Sequence, residues 1–539
     1  MHEPLKAAES LSPLARQVER RRTFAIISHP DAGKTTLTEK LLLFGGAINL
    51  AGQVKAKKDR RSTRSDWMAI ERERGISVVT SVMTFEFGGR VFNLLDTPGH
   101  EDFSEDTYRT LTAVDSAVMV IDAAKGIEAR TRKLFEVCRL RDIPIVTFIN
   151  KMDRESRDPF DLLDEIEKTL ALDTAPVTWP IGRGRDFVGT YELATGRVRL
   201  LEGEGPKTGA AQQMSLADIA ALSPVLELAT LNDELTLAQE LCGEFDMAAF
   251  REGHLTPVFF GSALKNFGVG DLLDALGAWA PAPRAQVSDR RTVDAHEARM
   301  TAFVFKIQAN MDPNHRDRIA FARLVSGKLD RGMKATIVRT GKPMTLSAPQ
   351  FFFAQDRSVA DEAYAGDVVG IPNHGTLRIG DTLTEGEMLK FVGVPNFAPE
   401  ILRRVRLGDP MKAKKLREAL QQMAEEGVVQ VFRPLDGAPA LVGVVGPLQL
   451  DVLKARLAAE YDLEINYENP EFQLARWISS DEAKKIDDFV QANYSSCAED
   501  LDGDRVFMAR NQFILDYTRE RAPGIVFTDI KDVKDRVAG

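Results

Sequence analysis

Residues 23–36 read Thr-Phe-Ala-Ile-Ile-Ser-His-Pro-Asp-Ala-Gly-Lys-Thr-Thr, and this segment predicts how the first domain is built. Its first six residues are nearly all apolar or β-branched, which suits a buried parallel strand. A helical pattern through Leu37 and Leu41 follows the turn directly. A turn between a strand and a helix can aim backbone N–H groups and the positive end of the helix dipole at a phosphate. We therefore predict a phosphate-binding loop over Ser28–Thr36, although the general pattern has glycine where this chain has Ser28.

Each residue type in this loop suits a particular task. Gly33 allows a close approach of backbone to phosphate, Lys34 can reach the β- and γ-phosphates, and the Thr35 hydroxyl can ligate Mg²⁺. An ordinary strand-to-helix turn with a solvated lysine is the alternative. The predicted nucleotide-binding residues of the loop are Ser28, His29, Pro30, Asp31, Ala32, Gly33, Lys34, Thr35 and Thr36.

A second motif follows the apolar run Val91–Leu95 and reads Asp-Thr-Pro-Gly-His. A carboxylate at the carboxyl end of a strand beside the phosphate loop can hold Mg²⁺ through water, which predicts this role for Asp96. The Gly99 backbone N–H can donate to a γ-phosphate and would make this segment respond to the state of the nucleotide. The predicted nucleotide-binding residues here are Asp96, Thr97, Pro98, Gly99 and His100.

Two further motifs, each after an apolar run, are candidates for binding the base. The Asp153 carboxylate can accept hydrogen bonds from the ring N–H and the amino group of guanine, whereas adenine offers neither donor in that geometry. Asn150 can bond the purine and brace the phosphate loop, and the stem of Lys151 can pack on the ring. Backbone N–H groups of a Ser-Ala-Leu turn can reach the guanine carbonyl. The predicted residues are Asn150, Lys151, Met152, Asp153, Ser262, Ala263 and Leu264.

Length and composition bound the remaining possibilities. The 539 residues predict three or four domains at about 150 residues each. A net charge of −10 argues against a pervasive basic coat for nucleic acid. Three scattered cysteines, no apolar signal segment and no apolar run of transmembrane length predict a cytoplasmic protein without a membrane partner. No histidine or cysteine spacing indicates a structural zinc site.

Alternating apolar and helical segments predict a parallel sheet covered on both faces over residues 1–284, with an insertion at about 155–255. The Pro-rich stretch Ala280–Arg284 marks the end of this unit. Short runs separated by glycine turns predict a small antiparallel β-barrel over 285–393. Two amphipathic helices among strands predict an α+β domain over 394–539.

Together the four motifs resemble the GTP-binding domain of the translational GTPases. The resemblance implies an α/β P-loop GTPase domain with an insertion, GTP/GDP and Mg²⁺ as ligands, and ribosome-stimulated hydrolysis. It also implies that Glu71–Ser77 is the first switch, with the Ser77 hydroxyl ligating Mg²⁺ beside Thr35 and Asp96. Lys34 and His100 become the catalytic residues, His100 by positioning the attacking water. A hydrophobic gate near His100 would fall on Ile76 and on Pro30, the latter an unusual choice.

A narrower resemblance is to the bacterial class II peptide chain release factors, within the elongation factor G-like group. It rests on Arg-Ser-Asp-Trp-Met at 64–68, Arg-Gly-Ile-Ser-Val at 74–78, Phe-Ala-Pro-Glu at 397–400 and Gly-Pro-Leu-Gln-Leu at 446–450. Elongation factor G itself continues into further domains for which we expect no room here. The resemblance implies a monomer that joins the terminating ribosome and drives dissociation of a class I release factor.

Two other functions stay open at this point. One is another ribosome-stimulated GTPase, of the translocase-like or rescue type, and the other is a non-catalytic module whose assembly GTP gates. Basic clusters at 55–64 and 403–415 are candidate contacts to ribosomal RNA, although solvated surface charge is the plainer interpretation. Neither cluster is interleaved with aromatic residues, so base readout is not indicated.

Overall fold

The computed structural model describes residues 11–46, 80–201, 211–222, 227–241, 245–309, 318–353 and 356–531. The predicted first switch with Ile76 and Ser77, the motif at 64–68, the basic cluster at 55–64 and Cys242 lie outside the described residues. Within the described part of the chain, no helix is long and apolar enough to cross a lipid bilayer.

A seven-stranded sheet forms the centre of the first domain. Only its edge hairpin, Ser81–Phe87 with Arg90–Asp96, is antiparallel, and the other neighbours run parallel. In spatial order the strands are Ser81–Phe87, Arg90–Asp96, Arg21–Ser28, Ser116–Asp122, Ile145–Asn150, Leu255–Phe260 and Asp173–Pro176. Strand Arg21–Ser28 is buried along its whole length, as its apolar run predicts. The parallel strands end together, so the motifs that follow them converge on one edge.

Helices pack against this sheet through apolar side chains that repeat at helical spacing. Those beside the sheet are Lys34–Phe44, Ser104–Leu111, Ala129–Leu140, Pro159–Leu170 and Val269–Trp279. Helix Pro13–Glu19 precedes the first strand, and the 3₁₀ turn Glu101–Phe103 leads into Ser104–Leu111. Helix Pro159–Leu170 starts at the side-chain cap Asp158 and buries Leu162, Leu163 and Ile166.

The segment predicted as an insertion contributes one strand to the main sheet and also forms a sheet of its own. Strand Asp173–Pro176 joins the edge of the main sheet, whereas a separate antiparallel sheet begins at Thr178. Its strands are Thr178–Ile181, Gly189–Glu192, Arg197–Leu200 and Gln212–Gln213. Helices Leu216–Ala220, Leu228–Leu241 and Met247–Arg251 and the 3₁₀ turn Gly184–Asp186 complete the segment.

The second domain is antiparallel β, as its turn rhythm predicts. One eight-stranded sheet runs, in spatial order, through Lys342–Thr345, Lys334–Ile337, Thr382–Thr384, Thr301–Ala309, Arg318–Ser326, Val368–Pro372, Gln350–Phe353 and Asp356–Val359. Lys328–Asp330 pairs with Glu362–Tyr364, and Gln286–Val287 pairs with Thr292–Val293. Its apolar interior includes Val304, Leu324, Val369 and Leu383.

The third domain is α+β, again as predicted. Its antiparallel sheet runs through Ile465–Glu468, Ile401–Leu407, Leu441–Val444, Gln430–Pro434, Cys497–Glu499, Arg505–Ala509, Leu474–Ser479 and Val526–Thr528. The helices are Ala413–Glu425, Pro447–Tyr461, Ala483–Ala492 and Gln512–Arg521, with 3₁₀ turns Pro410–Lys412 and Tyr494–Ser496. A last short strand, Ile530–Lys531, pairs with Asn396–Phe397 at the entrance to the domain. The three architectures therefore follow one another along the chain in the order that the sequence indicates.

Buried ion pairs join the first domain to the second. Arg21 Nε donates to Asp367 Oδ2 over 2.9 Å, and Asn93 Nδ2 donates to Asp367 Oδ1 over 3.2 Å. Arg323 Nη2 donates to Asp115 Oδ2 over 2.5 Å, and both side chains are buried. Removing one member of such a pair leaves an uncompensated charge in a dry interface.

Asp367→Ala is expected to lower the free energy of unfolding by about 3–5 kcal/mol, because Arg21 stays buried without its counter-ion. The matched control is Asp330→Ala, whose pair with Lys328 lies at the surface and contributes at most about 1 kcal/mol. Urea unfolding of both variants checks this. Equal effects of the two substitutions would contradict the importance given to the interdomain pair.

Candidate functional site

The phosphate loop is shaped by its backbone. Asp31 and Gly33 both have positive φ, 66° and 95°, between strand Arg21–Ser28 and helix Lys34–Phe44. A Cβ at Gly33 would lie less than 3.0 Å from Asn150 Nδ2, so this position needs glycine for its conformation and for its space. The close approach of Asn150 and the two positive φ values thus fix the path of this loop between the strand and the helix.

Lys34 and Asp96 meet beside this loop. The Lys34 ammonium Nζ lies 2.5 Å from Asp96 Oδ1, and both side chains are almost completely buried. A buried ammonium paired with one carboxylate is poised for a more highly charged partner such as a β- or γ-phosphate. Thr35, half-buried at the start of the helix, and Asp96 supply oxygen ligands of the type that Mg²⁺ prefers. The predicted third ligand, Ser77, lies outside the described residues.

Asn150 ties three motifs together. Its Nδ2 donates to the carbonyl of Ala32 over 2.8 Å, while its Oδ1 accepts the N–H groups of Lys151 and Ala263, both over 2.9 Å. Asn150 is buried at the end of strand Ile145–Asn150. The amide therefore braces the phosphate loop against the turn that holds Ala263.

Lys151 crosses above the loop with a positive φ of 72°. Its Nζ donates to the Asp31 carbonyl over 2.5 Å and to Asp122 Oδ2 over 2.8 Å. Burial opposes ionisation of Asp122, yet hydrogen bonds from Lys151 and from the Ala124 N–H hold its pKa below the ordinary value. Asp122 was missed by the sequence reasoning; its position at the end of a buried strand was the available signal.

The predicted base-binding residues lie at one edge of the sheet. Met152 is buried and donates its N–H to Gly261 over 3.1 Å, and Asp153 follows it, half-buried. Ser262 N–H donates to Phe267 over 3.1 Å and Ala263 N–H is held by Asn150. Two of the three backbone donors predicted for the guanine carbonyl are thus engaged within the protein, and Leu264 is exposed.

His100 is the last residue of the second motif and caps the start of the 3₁₀ turn Glu101–Phe103. Its ring Nδ1 accepts the N–H of Asp102 over 3.3 Å, and the side chain is 36% exposed. Thr97 Oγ1 donates to the carbonyl of Ile26 over 2.7 Å, which fixes this motif beside the phosphate-loop strand. Pro98 is buried and Gly99 half-buried. Pro30, one wing of the expected hydrophobic gate, is exposed, and Ile76 lies outside the described residues.

His29, which the sequence predicts as one of the nucleotide-binding residues of the loop, is a further buried group. Its ring is fully buried, and Nδ1 lies 3.0 Å from Glu128 Oε2. The ring and this carboxylate are not aligned for a hydrogen bond, and neither ring nitrogen has a hydrogen-bond partner within the described ranges. Burial lowers the pKa of His29 from its ordinary value of 6.5, with the nearby Glu128 carboxylate opposing that change. The ring is therefore neutral at pH 7.

The lowered pKa of His29 makes stability depend on pH in one direction. Below pH 6.5 the unfolded chain binds a proton there that the folded chain resists, so stability falls as the pH drops, by up to about 1.4 kcal/mol per pH unit. Above pH 6.5 both states are neutral and the contribution is flat. Thermal unfolding of His29→Gln should show a smaller loss on acidification than the parent protein. His254→Gln, at a 71% exposed side chain, is the control and should follow the parent; identical profiles for all three would contradict the assignment.

The basic cluster at 403–415 is partly neutralised by acids of its own domain. Arg406 Nε lies 2.8 Å from Glu468 Oε2, and Lys412 Nζ lies 2.9 Å from Asp462 Oδ2. Lys414 and Lys415 are exposed on helix Ala413–Glu425. This surface is therefore of mixed charge.

Comparisons with known proteins match each of the three domains. Residues 19–282 match the family described as elongation factor Tu GTP binding domain, and residues 299–386 match elongation factor G domain 2. Residues 391–519 match the C-terminal domain of the class II release factor RF3. A Thermus thermophilus protein, ttk003000868, has a crystal structure that this chain matches with a TM-score of 0.67 at 25% identity. That match covers 86% of this chain and 69% of that one.

The order of these matches confirms the fold and the resemblance drawn from the motifs. A GTP-binding domain of this kind is a nucleotide hydrolase, and the two following domains belong to translation factors. With the elongation factor Tu type of GTP-binding domain at 19–282, elongation factor G domain 2 at 299–386 and the RF3 C-terminal domain at 391–519, the chain belongs to the translational GTPases of the RF3 type.

Proposed function

We propose that this protein binds GTP with Mg²⁺ and, on the terminating ribosome, hydrolyses it to drive dissociation of a class I release factor in the cytoplasm. The observation that carries the proposal is the presence on one chain of a loop where Gly33 has a positive φ and the buried Lys34 pairs with Asp96, and of a match to the class II release factor domain. The partners proposed are the ribosome, through its RNA and proteins, and the class I factor bound there. The protein acts as a monomer in this proposal.

The nucleotide is bound by groups that already face one another. The loop backbone around Gly33 cradles the phosphates, and Lys34 exchanges part of its pairing with Asp96 for the β- and γ-phosphate oxygens. Mg²⁺, when bound, neutralises phosphate charge and would be held by Thr35 and, through water, Asp96. Asp153 accepts hydrogen bonds from the guanine base. Asn150 holds the phosphate loop, through Ala32, against the turn that contains Ala263.

Hydrolysis requires a positioned water and stabilisation of charge on the transferred phosphoryl group. In the neutral ring, acceptance of the Asp102 N–H at Nδ1 places the proton on Nε2. His100 can then donate from Nε2 to the attacking water, and Lys34 balances the charge that develops on the phosphate oxygens. Since such catalysis depends on placement, turnover is slow until the ribosome completes the arrangement.

In this proposal the γ-phosphate also controls a conformational switch in the segment that begins at Gly99. A γ-phosphate holds Gly99, and its loss on hydrolysis releases the segment that leads into helix Ser104–Leu111. That helix touches both other domains: Lys306 Nζ lies 3.5 Å from Asp106, and Arg109 Nη2 donates to Asn396 Oδ1 over 3.1 Å. A change at the γ-phosphate is thus transmitted to the barrel and to the release factor domain.

Phosphate release from GTP and from ATP, with and without ribosomes, tests the enzymatic part of the proposal. Turnover that requires GTP and rises strongly with ribosomes supports it. GTP binding without turnover under any ribosomal condition would support the non-catalytic module instead.

A further inference from the structure

Asp102 stands between His100 and the third domain. Its backbone N–H donates to His100 Nδ1 over 3.3 Å, while its carboxylate Oδ2 accepts the N–H of Leu448 over 2.6 Å. The Asp102 side chain is only 6% exposed, so the carboxylate is enclosed in the junction between the domains. One residue therefore touches the proposed catalytic ring and an element 346 positions away in sequence.

The contact on the third domain is the start of helix Pro447–Tyr461. The first N–H groups of a helix lack partners within it, and a negative charge there is favoured by the helix dipole. This helix has no acidic residue in its own first turn, and Pro447 has no N–H to offer. Asp102 supplies a carboxylate from the first domain. When the third domain is seated, that is, when the start of helix Pro447–Tyr461 lies against Asp102, the Leu448 N–H has a hydrogen-bond acceptor.

Gly446 gives independent support for the closeness of this contact. A Cβ at this position would lie less than 3.0 Å from all three atoms of the Asp102 carboxylate group. The φ of Gly446 is −144°, an extended conformation that any residue adopts. The absence of a side chain is therefore required by the approach of Asp102 rather than by the backbone.

A second group of contacts fastens the same segment further along. Arg109 pairs with Glu105 on its own helix over 2.5 Å, and its Nη1 donates across the interface to the Gly427 carbonyl over 3.4 Å. Gln430 Nε2 donates to Glu105 Oε1 over 3.5 Å. Asp102 lies at the end of this interface nearest to His100, where a change in seating reaches the ring most directly.

We propose that Asp102 is a positioning residue that makes the placement of His100 depend on the seating of the third domain. This inference rests on the proposed role of His100 in hydrolysis. When the helix start is seated on the Asp102 carboxylate, the Asp102 N–H fixes the ring and its tautomer. When the domain moves away, Asp102 loses its partner and the ring is no longer held. Fast hydrolysis is thereby restricted to the seated arrangement.

The test uses the full chain with ribosomes and compares stimulated with unstimulated GTP turnover. Gly446→Ala should lower stimulated turnover by about 10- to 100-fold through misplacement of the ring, and leave unstimulated turnover and GTP affinity within about twofold. Gly408→Ala, in the same domain but with only an ordinary 4.0 Å neighbour at the added Cβ, should behave as the parent. An equal fall in both rates would mean a general structural defect and would overturn the proposal.

A double-mutant cycle identifies the contact itself. Asp102→Ala should lower stimulated turnover as Gly446→Ala does, and the double variant should be no worse than either, because the two act on one contact. Asp102→Asn keeps a carbonyl oxygen for the Leu448 N–H and should recover part of the loss. Additive effects, or no difference between Asn and Ala at position 102, would overturn the proposal.

Hydrogen exchange keeps the inference separate from the proposed function. Amides of residues 99–111 should exchange faster in Gly446→Ala than in the parent and in Gly408→Ala, whether or not ribosomes stimulate turnover. If stimulation is absent in the parent, the proposed function fails while faster exchange still supports the contact. Unchanged exchange would overturn the inference even if stimulation is observed.

Discussion

His100→Ala is expected to bind GTP nearly as the parent protein does and to lose ribosome-stimulated hydrolysis by about 100-fold or more. The ring accepts the Asp102 N–H at Nδ1 and is partly exposed, so its removal is expected to affect the stability of the fold little. The direct measurement is single-turnover phosphate release on ribosomes, with nucleotide affinity determined separately. His254→Ala, at an exposed side chain on the same domain, is the control.

The possible results for His100→Ala are easily told apart. Unchanged stimulated turnover would remove the assigned role. A parallel loss of GTP affinity would instead make His100 a binding residue. Because the neighbouring Phe103 and Asp102 are buried whereas His100 is not, a large loss of stability is not expected from this substitution.

Asp153→Asn is expected to change which nucleotide is bound. The amide nitrogen donates where the carboxylate accepted, so it faces the ring N–H and amino group of guanine with the wrong polarity. GTP affinity should fall by about 100-fold or more, since buried polar groups of the base are left unpaired. Xanthosine triphosphate carries a carbonyl in place of that amino group and should bind the variant better than GTP does.

Competition binding with GTP, ATP and xanthosine triphosphate checks this reversal. Asp158→Asn, at the cap of helix Pro159–Leu170, is the matched control and should leave the order of affinities unchanged. A variant at Asp153 that still prefers GTP would show that the base is read elsewhere. If Asp153→Asn bound GTP, ATP and xanthosine triphosphate all weakly, the proposed role of Asp153 in selecting guanine would also be contradicted.

The parts of the fold that the sequence predicts well are those with local signals. The apolar run before Ser28 and the leucines at helical spacing predict strand Arg21–Ser28 and helix Lys34–Phe44 within a few residues. The glycine-separated runs predict the antiparallel β architecture of the second domain in the same way. Strand Asp173–Pro176 was harder, because four residues with aspartate and proline carry almost no strand pattern, yet its pairing with Leu255–Phe260 places it on the main sheet.

The residues of the candidate site likewise differ in whether a local sequence signal marks them. Motif residues such as Gly33, Lys34 and Asn150 are recognisable because their chemistry is tied to short spacings. The end of a buried strand marks Asp122 as a candidate but does not indicate its partner Lys151, and Asp102 has no local signal for its contact with a helix of another domain. Such residues become visible only when segments distant in sequence are brought together.

The proposed action on the ribosome is best tested by following a labelled class I release factor on terminated ribosomes after peptide release. The protein is added with GTP, with a non-hydrolysable GTP analogue or with GDP, while phosphate release is recorded in the same reaction. We predict that the labelled factor leaves much faster with GTP and that ribosomes stimulate GTP turnover. Stimulated turnover with no faster departure of the factor would contradict the proposed function and leave a GTPase that acts at another step of translation.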